Sequence, residues 1–193
     1  MKKMLFVFNP NSGKAQIKNS LLRIIQIFSL AGYEVTVYPT KAPKDGYNHI
    51  LENEGKYDVI ACSGGDGTLN ETVGAILKYS GDKPAIGYIP SGTTNDFATS
   101  LHIPKDMVKA AGYIADGERF SCDIGIMNNE RSFNYVAAFG AFTEVSYATP
   151  QNLKNILGHQ AYVIEGVKRL ADVKPYRMKV ICDELKTEDD FIY

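Results

Sequence analysis

Short apolar runs alternate with segments of helical periodicity as far as about residue 115, and this alternation restricts the fold more than any other feature. Residues 4–8 form a continuous apolar run, and residues 15–31 carry apolar side chains at helical spacing. The alternation continues with strands predicted at 34–38, 57–62 and 85–89 and with helices predicted at 44–54 and 68–78. Such alternation is typical of parallel strands joined by helical crossovers. We therefore predict an α/β domain with an open, mainly parallel sheet.

The pattern changes near residue 118. Residues 119–128 and 132–139 are predicted to be paired strands, residues 153–171 an amphipathic helix, and residues 176–183 and 189–193 strands again. We therefore predict two domains, one of residues 1–118 and the start of a β-rich second domain in residues 119–193. The last residues fall inside an apparent apolar strand, which is a poor place for a protein to stop, so we expect the chain to be a fragment.

Composition excludes several classes of function. The net charge is −1 and the pI is near 6.3, so nothing draws the whole chain toward nucleic acid or a membrane surface. Three cysteines and three histidines are widely scattered, which disfavours a zinc site or a disulfide framework and suits a reducing cytoplasm. Every apolar run is too short to span a bilayer.

A glycine-rich turn, Gly64-Gly65-Asp66-Gly67-Thr68, lies between a predicted buried strand and a predicted helix. Glycines permit positive φ angles and close approach of a ligand, while the helix N-terminus favours a phosphate. Asp66 offers a carboxylate to Mg²⁺, and Thr68 offers a hydroxyl. The alternative is a tight turn in which Asp66 caps the helix. The spacing fits neither a P-loop nor a dinucleotide fingerprint.

Three further polar clusters also follow predicted strands. They are Asn9-Pro10-Asn11-Ser12-Gly13-Lys14, Thr40, and Pro90-Ser91-Gly92-Thr93-Thr94-Asn95-Asp96. Because ligands bind such sheets at the carboxyl ends of the strands, we expect these loops to converge on one site. Each cluster alone is also compatible with an ordinary turn, and the last with a helix N-terminus capped by Thr94 or Asn95.

Three motifs together carry a resemblance to a known family: Asn9-Pro10-x-Ser12-Gly13, Gly64-Gly65-Asp66-Gly67-Thr68-Leu69-Asn70-Glu71, and Pro90-x-Gly92-Thr93-x-Asn95-Asp96. They resemble the catalytic domain of diacylglycerol kinases, a family that includes sphingosine and ceramide kinases and has a Rossmann-like fold related to that of NAD kinases. The stretch Cys122-Asp123-Ile124-Gly125, with Phe139-Gly140 and residues 143–147, resembles the soluble bacterial members.

The resemblance implies that MgATP is the phosphate donor and that a lipid hydroxyl, as in diacylglycerol, is the acceptor. It implies a water-mediated Mg²⁺ network around Asp66 and Asp96. The implied ATP contacts are Asn9, Pro10, Asn11, Ser12, Gly13, Thr40, Gly65, Asp66, Gly67, Thr68, Leu69, Asn70, Glu71 and Thr93. It also implies a cytoplasmic enzyme that is peripheral at the inner membrane surface. Members of the family often dimerise, so a homodimer is a further expectation.

The resemblance assigns no catalytic residue to this chain. In the family, the general base lies in an Asp-Gly-Glu segment of the second domain, and the ligands of a structural Mg²⁺ lie there too. We therefore expect the base beyond Tyr193. The tripeptide Asp116-Gly117-Glu118 is instead predicted to end a helix, with Gly117 as its C-cap. We expect this chain to bind nucleotide but to phosphorylate lipid poorly or not at all.

Two other functions are weighed. NAD kinases share the Gly-Gly-Asp-Gly turn, as do phosphofructokinases, but the motifs at Asn9 and Thr93 suit lipid kinases better. A truncated nucleotide-binding module without catalysis is the second alternative. The predicted helix at 153–171 has an apolar face beside Lys168 and Arg169, and covering the second domain's sheet is favoured over a membrane contact.

Overall fold

Four parallel strands form one sheet in the order β2-β1-β3-β4. The computed structural model describes residues 1–138, 175–183 and 185–192. The strands of this sheet are β1 (Lys2–Phe8), β2 (Tyr33–Pro39), β3 (Val59–Gly64) and β4 (Ala85–Pro90). The α/β class and the parallel sheet predicted from the sequence are therefore confirmed.

Helices cover both faces of this sheet. They are α1 (Ile17–Leu30), α2 (Asp45–Glu52), α3 (Asp66–Leu77), α4 (Asp96–Ser100) and α5 (Met107–Asp116). Met4 and Phe6 of β1 belong to a buried cluster with residues of α1 and α5, whereas Leu5 and Val7 belong to one with residues of α2 and α3. Burial on both faces explains why this strand is a continuous apolar run.

A short hairpin follows these helices. Its strands, β5 (Gly125–Met127) and β6 (Arg131–Phe133), pair antiparallel. Asn128, Asn129 and Glu130 connect the strands; Asn128 and Asn129 have φ angles of 53° and 57°, and the Glu130 amide donates to the Met127 carbonyl at 3.1 Å, as in a type I′ turn. The predicted hairpin is present with its turn at residues 128–130 rather than 128–131, but residues 119–124 and 134–138, which were predicted to extend its strands, pair with no strand in the described part of the chain. Alternation of apolar and polar residues is not enough to form a strand, because a strand also needs a second strand to pair with.

The chain divides into two compact units, Met1–Tyr135 and Val136–Tyr193. In the second unit, β7 (Tyr176–Cys182) pairs antiparallel with β8 (Leu185–Phe191), so the last predicted strand begins four residues earlier than expected, at 185 instead of 189. The helix predicted at 153–171 and the family-like residues 139–147 lie outside the described residues. The division between residues 118 and 119, which concerns the domains of the whole protein, stays a prediction. Among the described helices, none is long and apolar enough to cross a membrane.

The helix α5 shows how local chemistry sets both of its ends. Asp106 accepts hydrogen bonds from the backbone amides of Val108 and Lys109 at 2.9 and 3.0 Å, a side-chain N-cap. The helix ends with Gly117 as its C-cap, as predicted, and the backbone of Gly117 is extended (φ −79°, ψ 161°). Glycine is needed there, since a Cβ would collide with the Tyr113 carbonyl oxygen.

Removing the Asp106 carboxylate tests this cap and its dependence on pH. We expect Asp106→Ala to lower the melting temperature by roughly 2–4 °C at neutral pH, the usual effect of a lost N-cap in a chain of this size. Hydrogen bonding by the Lys109 amide, opposed by desolvation and aided by the Val108 amide, lowers the pKa of Asp106. A lowered folded-state pKa means that the stabilisation is present above the unfolded pKa, about 3.9, and is lost as pH falls through the folded pKa.

Asp106→Ser is the matched control, because serine caps a helix about as well as aspartate but does not titrate. It should keep most of the stability at neutral pH and lose the contribution of residue 106 to acid sensitivity. Thermal melts between about pH 3 and pH 7 measure both effects. Identical melting curves for all three proteins across that range would contradict the assignment.

Candidate functional site

The loops after β1, β3 and β4 meet at the carboxyl edge of the sheet. The Asn9 amide, just after β1, donates to the Ser63 carbonyl of β3 at 2.9 Å. Gly13 has a φ of 55°, and a Cβ on it would lie 2.5 Å from the Ser91 carbonyl oxygen. The first loop therefore lies directly against the loop after β4. The structure brings together three of the clusters that the sequence places after separate strands.

The glycine-rich turn joins β3 to α3. Gly65 is the residue before the helix, with a φ of −87° and a ψ of −172°, so the positive φ angles expected for this turn do not occur at Gly64, Gly65 or Gly67. Glycine is needed at Gly64 for packing, because a Cβ would collide with the Thr68 side chain. At Gly67, by contrast, the space that a Cβ would occupy is open to 4 Å. Gly67 is therefore exposed at the start of α3.

Asp66 is the first residue of α3, but its side chain does not cap that helix. Its carboxylate instead accepts the backbone amides of Asp96 at 3.1 Å and Phe97 at 3.2 Å, which belong to the first turn of α4. Asp66 therefore caps a helix, but it caps α4 and not α3, the helix for which the cap was predicted. This bridge also brings the backbone of Asp96, the second predicted Mg²⁺ residue, within hydrogen-bonding distance of Asp66.

The loop after β4 is closed on itself by Asn95. Its Oδ1 accepts the Gly92 amide at 2.9 Å, and its Nδ2 donates to the Gly92 carbonyl at 2.8 Å. Asn95 has a φ of 57° and precedes α4, but its side chain makes no capping bond, so the predicted side-chain cap by Thr94 or Asn95 is wrong. The Asn95 side chain is occupied by Gly92 instead. Thr93 and Asp96 are exposed on this loop.

The remaining predicted contacts lie in different environments. Thr40 follows β2, where its amide donates to the Phe8 carbonyl at 2.9 Å. Its loop is tied to α3, because the Lys44 amide donates to Glu71 Oε1 at 3.1 Å. The side chain of Leu69 is buried in the core, so only its backbone can face a ligand. Asn70 Oδ1 is buried and has no hydrogen-bond partner among the described residues, which makes it a group that a bound water or ligand would satisfy.

Two residues that the sequence reasoning missed hold these loops together. Ser63 is fully buried and donates from Oγ to Ser91 Oγ at 3.1 Å. The Tyr88 hydroxyl lies 3.2 Å from the Gly64 carbonyl oxygen. Each is a polar side chain near the end of an otherwise apolar strand. Because a buried polar group needs a hydrogen-bond partner, this pattern could have identified both residues from the sequence.

The carboxylates at this site fit a magnesium ion that keeps most of its water ligands better than one enclosed by protein ligands. Among residues 1–138, 175–183 and 185–192, no group of three or more histidine, cysteine, aspartate or glutamate side chains converges on one point. Asp66 and Asp96 supply two carboxylates, and each oxygen of Asp66 keeps a lone pair after accepting one amide. Mg²⁺ usually retains several waters and takes one or two protein carboxylates together with substrate phosphates.

Comparison with known proteins shows which family this chain matches. The family model described as the diacylglycerol kinase catalytic domain matches residues 3–127. A diacylglycerol kinase of Staphylococcus aureus is 41% identical over 186 residues, covering 94% of this chain and 58% of that protein. One of Staphylococcus saprophyticus is 38% identical over 184 residues, covering 95% of this chain and 60% of that protein. This chain therefore spans less than two thirds of these relatives.

Solved structures show the same fold. A crystal structure of a diacylglycerol kinase from Bacillus anthracis aligns with a TM-score of 0.76 at 23% identity, over 99% of this chain and 62% of that one. A second Bacillus anthracis crystal structure aligns with a TM-score of 0.79 at 25% identity, over 99% of this chain and 63% of the other.

Proposed function

The chain belongs to the diacylglycerol kinase catalytic-domain family, and on that premise we propose that it binds MgATP at the carboxyl edge of the parallel sheet, for transfer of the γ-phosphate to a lipid hydroxyl. The observation that carries this proposal is the convergence of three loops around the N-terminus of α3. The match to diacylglycerol kinases favours a lipid acceptor over the NAD kinase alternative.

The N-terminus of α3 supports the binding of the phosphate groups. Amides in the first turn of a helix have no partner within the helix, and the helix dipole favours negative charge there. The helix has 12 residues, and Gly67 in its first turn is exposed. The loop residues Ser12 and Thr93 would contact the nucleotide from the sides. Phosphoryl transfer relies mainly on such positioning and on charge neutralisation.

Asp66 and Asp96 would hold the hydrated Mg²⁺, which when bound neutralises charge on the phosphates. Asp66 has a second role that needs no metal, since its bonds to the amides of Asp96 and Phe97 fix the loop after β4. Glu71 has a comparable role for the loop that carries Thr40, through the Lys44 amide. The chain's own residues therefore shape the site before nucleotide binds.

We further propose that this chain, taken alone, binds nucleotide without efficient lipid turnover. It spans 58–60% of its Staphylococcus relatives, and the family resemblance places the general base in the second domain rather than on these loops. Asp116-Gly117-Glu118 cannot supply one from its present position, because it forms the end of α5 rather than a loop at the carboxyl edge of the sheet. The homodimer, the peripheral membrane contact and the cytoplasmic location stay predictions.

Titration calorimetry with MgATP, together with a labelled-ATP assay on diacylglycerol vesicles, tests both parts. We expect saturable MgATP binding and lipid phosphorylation at or near the background of a protein-free reaction. No detectable MgATP binding would refute the site. Robust phosphorylation of diacylglycerol would refute the claim that this chain lacks turnover. In a parallel labelled-ATP assay with NAD in place of the vesicles, phosphorylation of NAD would support the NAD kinase alternative.

A further inference from the structure

Tyr88 lies in β4, two residues before the end of the strand, and its hydroxyl is within reach of both the glycine-rich turn and the loop after β4. The hydroxyl is 3.2 Å from the Gly64 carbonyl oxygen and 3.4 Å from Asn95 Oδ1. We propose that Tyr88 is a positioning residue that holds these two loops in register and thereby sets the affinity of the site for nucleotide. The inference rests on the proposed nucleotide-binding function.

The Gly64 carbonyl oxygen is the point at which the two loops are joined. It accepts the amide of Ser91 at 2.9 Å and that of Gly92 at 3.2 Å, in addition to facing the Tyr88 hydroxyl. A carbonyl oxygen has two lone pairs, and the three donors share them. Asn95 Oδ1 offers the hydroxyl a second acceptor. One proton shared between Gly64 and Asn95 therefore couples the turn after β3 to the loop after β4.

The tyrosine ring is fixed behind the loops rather than exposed to the ligand. Tyr88 is 6% exposed and belongs to a buried cluster that includes Leu69 of α3 and Ala98 of α4. These two helices begin at the two loops that Tyr88 joins. Burial raises the pKa of Tyr88, so the hydroxyl keeps its proton and acts as a donor at any physiological pH.

Removing the hydroxyl should change the relative position of the two loops more than it changes the stability of the fold. In Tyr88→Phe the Gly64 carbonyl keeps the amides of Ser91 and Gly92, and Asn95 Oδ1 keeps the Gly92 amide. No buried acceptor is left unpaired, and the ring is preserved. The loss therefore falls on the relative position of the loops, on which binding of the phosphates depends.

The chain offers a matched control in Tyr79. It is 5% exposed, and its hydroxyl donates to a backbone carbonyl, that of Ile50, at 2.7 Å. It follows the C-terminus of α3, and therefore lies a whole helix away from the glycine-rich turn. Tyr79→Phe removes one buried tyrosine hydroxyl bond without touching the site.

Binding of MgATP to wild type, Tyr88→Phe and Tyr79→Phe is measured by titration calorimetry. We expect Tyr88→Phe to raise the dissociation constant about three- to tenfold, the net effect of one hydrogen bond, and Tyr79→Phe to leave it within about twofold of wild type. Equal affinity for wild type and Tyr88→Phe would overturn the proposal, as would an equal loss in both variants. Absence of binding by wild type itself would instead refute the proposed function.

Amide hydrogen exchange without nucleotide provides a second measurement that does not depend on activity. In Tyr88→Phe the amides of Ser91 and Gly92 should exchange faster than in wild type, while those of β1 and β3 should be unchanged. Tyr79→Phe should leave Ser91 and Gly92 unchanged. Faster exchange throughout β1 and β3 in Tyr88→Phe would show a purely structural role and would overturn the proposal.

Discussion

Gly92→Ala is expected to weaken MgATP binding by at least about tenfold and to destabilise the fold by roughly 1–3 kcal/mol, the usual cost of overpacking. A Cβ on Gly92 would lie 2.5 Å from the Gly65 Cα and 2.7 Å from Asn95 Oδ1. The first contact is with backbone, which cannot rotate away as a side chain can. The loop after β4 must therefore move off the glycine-rich turn, and this breaks the Gly92 amide bonds to Gly64 and Asn95.

Gly112→Ala is the matched control. It makes the same change in the middle of α5, where nothing lies within 4 Å of the added methyl group. It should leave MgATP affinity unchanged and raise stability by about 0.4–1 kcal/mol, because alanine restricts the unfolded chain and favours a helix. Calorimetric titration and chemical denaturation measure the two effects. Wild-type affinity in Gly92→Ala would show that the contact between the loops is not required for binding.

The local sequence pattern was sufficient to predict the strands of the sheet, because burial on both faces requires apolar residues there. The residues of β1 alternate between two buried clusters, so every position from Met4 to Phe8 is apolar. The position of the polar clusters at strand ends then followed from topology alone. Pattern was not sufficient for residues 119–124, because strand formation depends on a partner that the segment itself does not encode.

The contacts that join the loops of the site to one another are long-range, and this is why the sequence did not reveal them. Asp66 reaches amides 30 and 31 positions later, and Ser63 reaches a hydroxyl 28 positions later. A local interpretation assigned Asp66 to the nearest helix N-terminus, α3, whereas the fold gives it to α4. Gly117 is the C-cap of α5 as predicted, but the sequence does not show why glycine is needed there, which is the close approach of the Tyr113 carbonyl oxygen.

Asp66→Asn should separate the structural role of this side chain from its charge. Asparagine keeps one carbonyl oxygen that can accept the amide of Asp96 or Phe97, but it removes the negative charge and one acceptor. We expect wild type to bind ATP more tightly with Mg²⁺ than with a chelator. In Asp66→Asn this ratio of affinities should fall about tenfold, which removes most of the difference. Asp66→Ala should also destabilise α4, because both amides of its first turn lose their acceptor.

Asp96→Asn completes the test, since Asp96 takes part in the bridge through its backbone amide and not through its carboxylate. If both carboxylates hold the hydrated ion, Asp96→Asn lowers the Mg²⁺ dependence of ATP binding as Asp66→Asn does, yet leaves the melting temperature near that of wild type. Parallel titrations with MgATP and with ATP plus chelator give the ratio for each protein. An unchanged ratio in both variants would place the ion elsewhere and leave Asp66 as a cap of α4 alone.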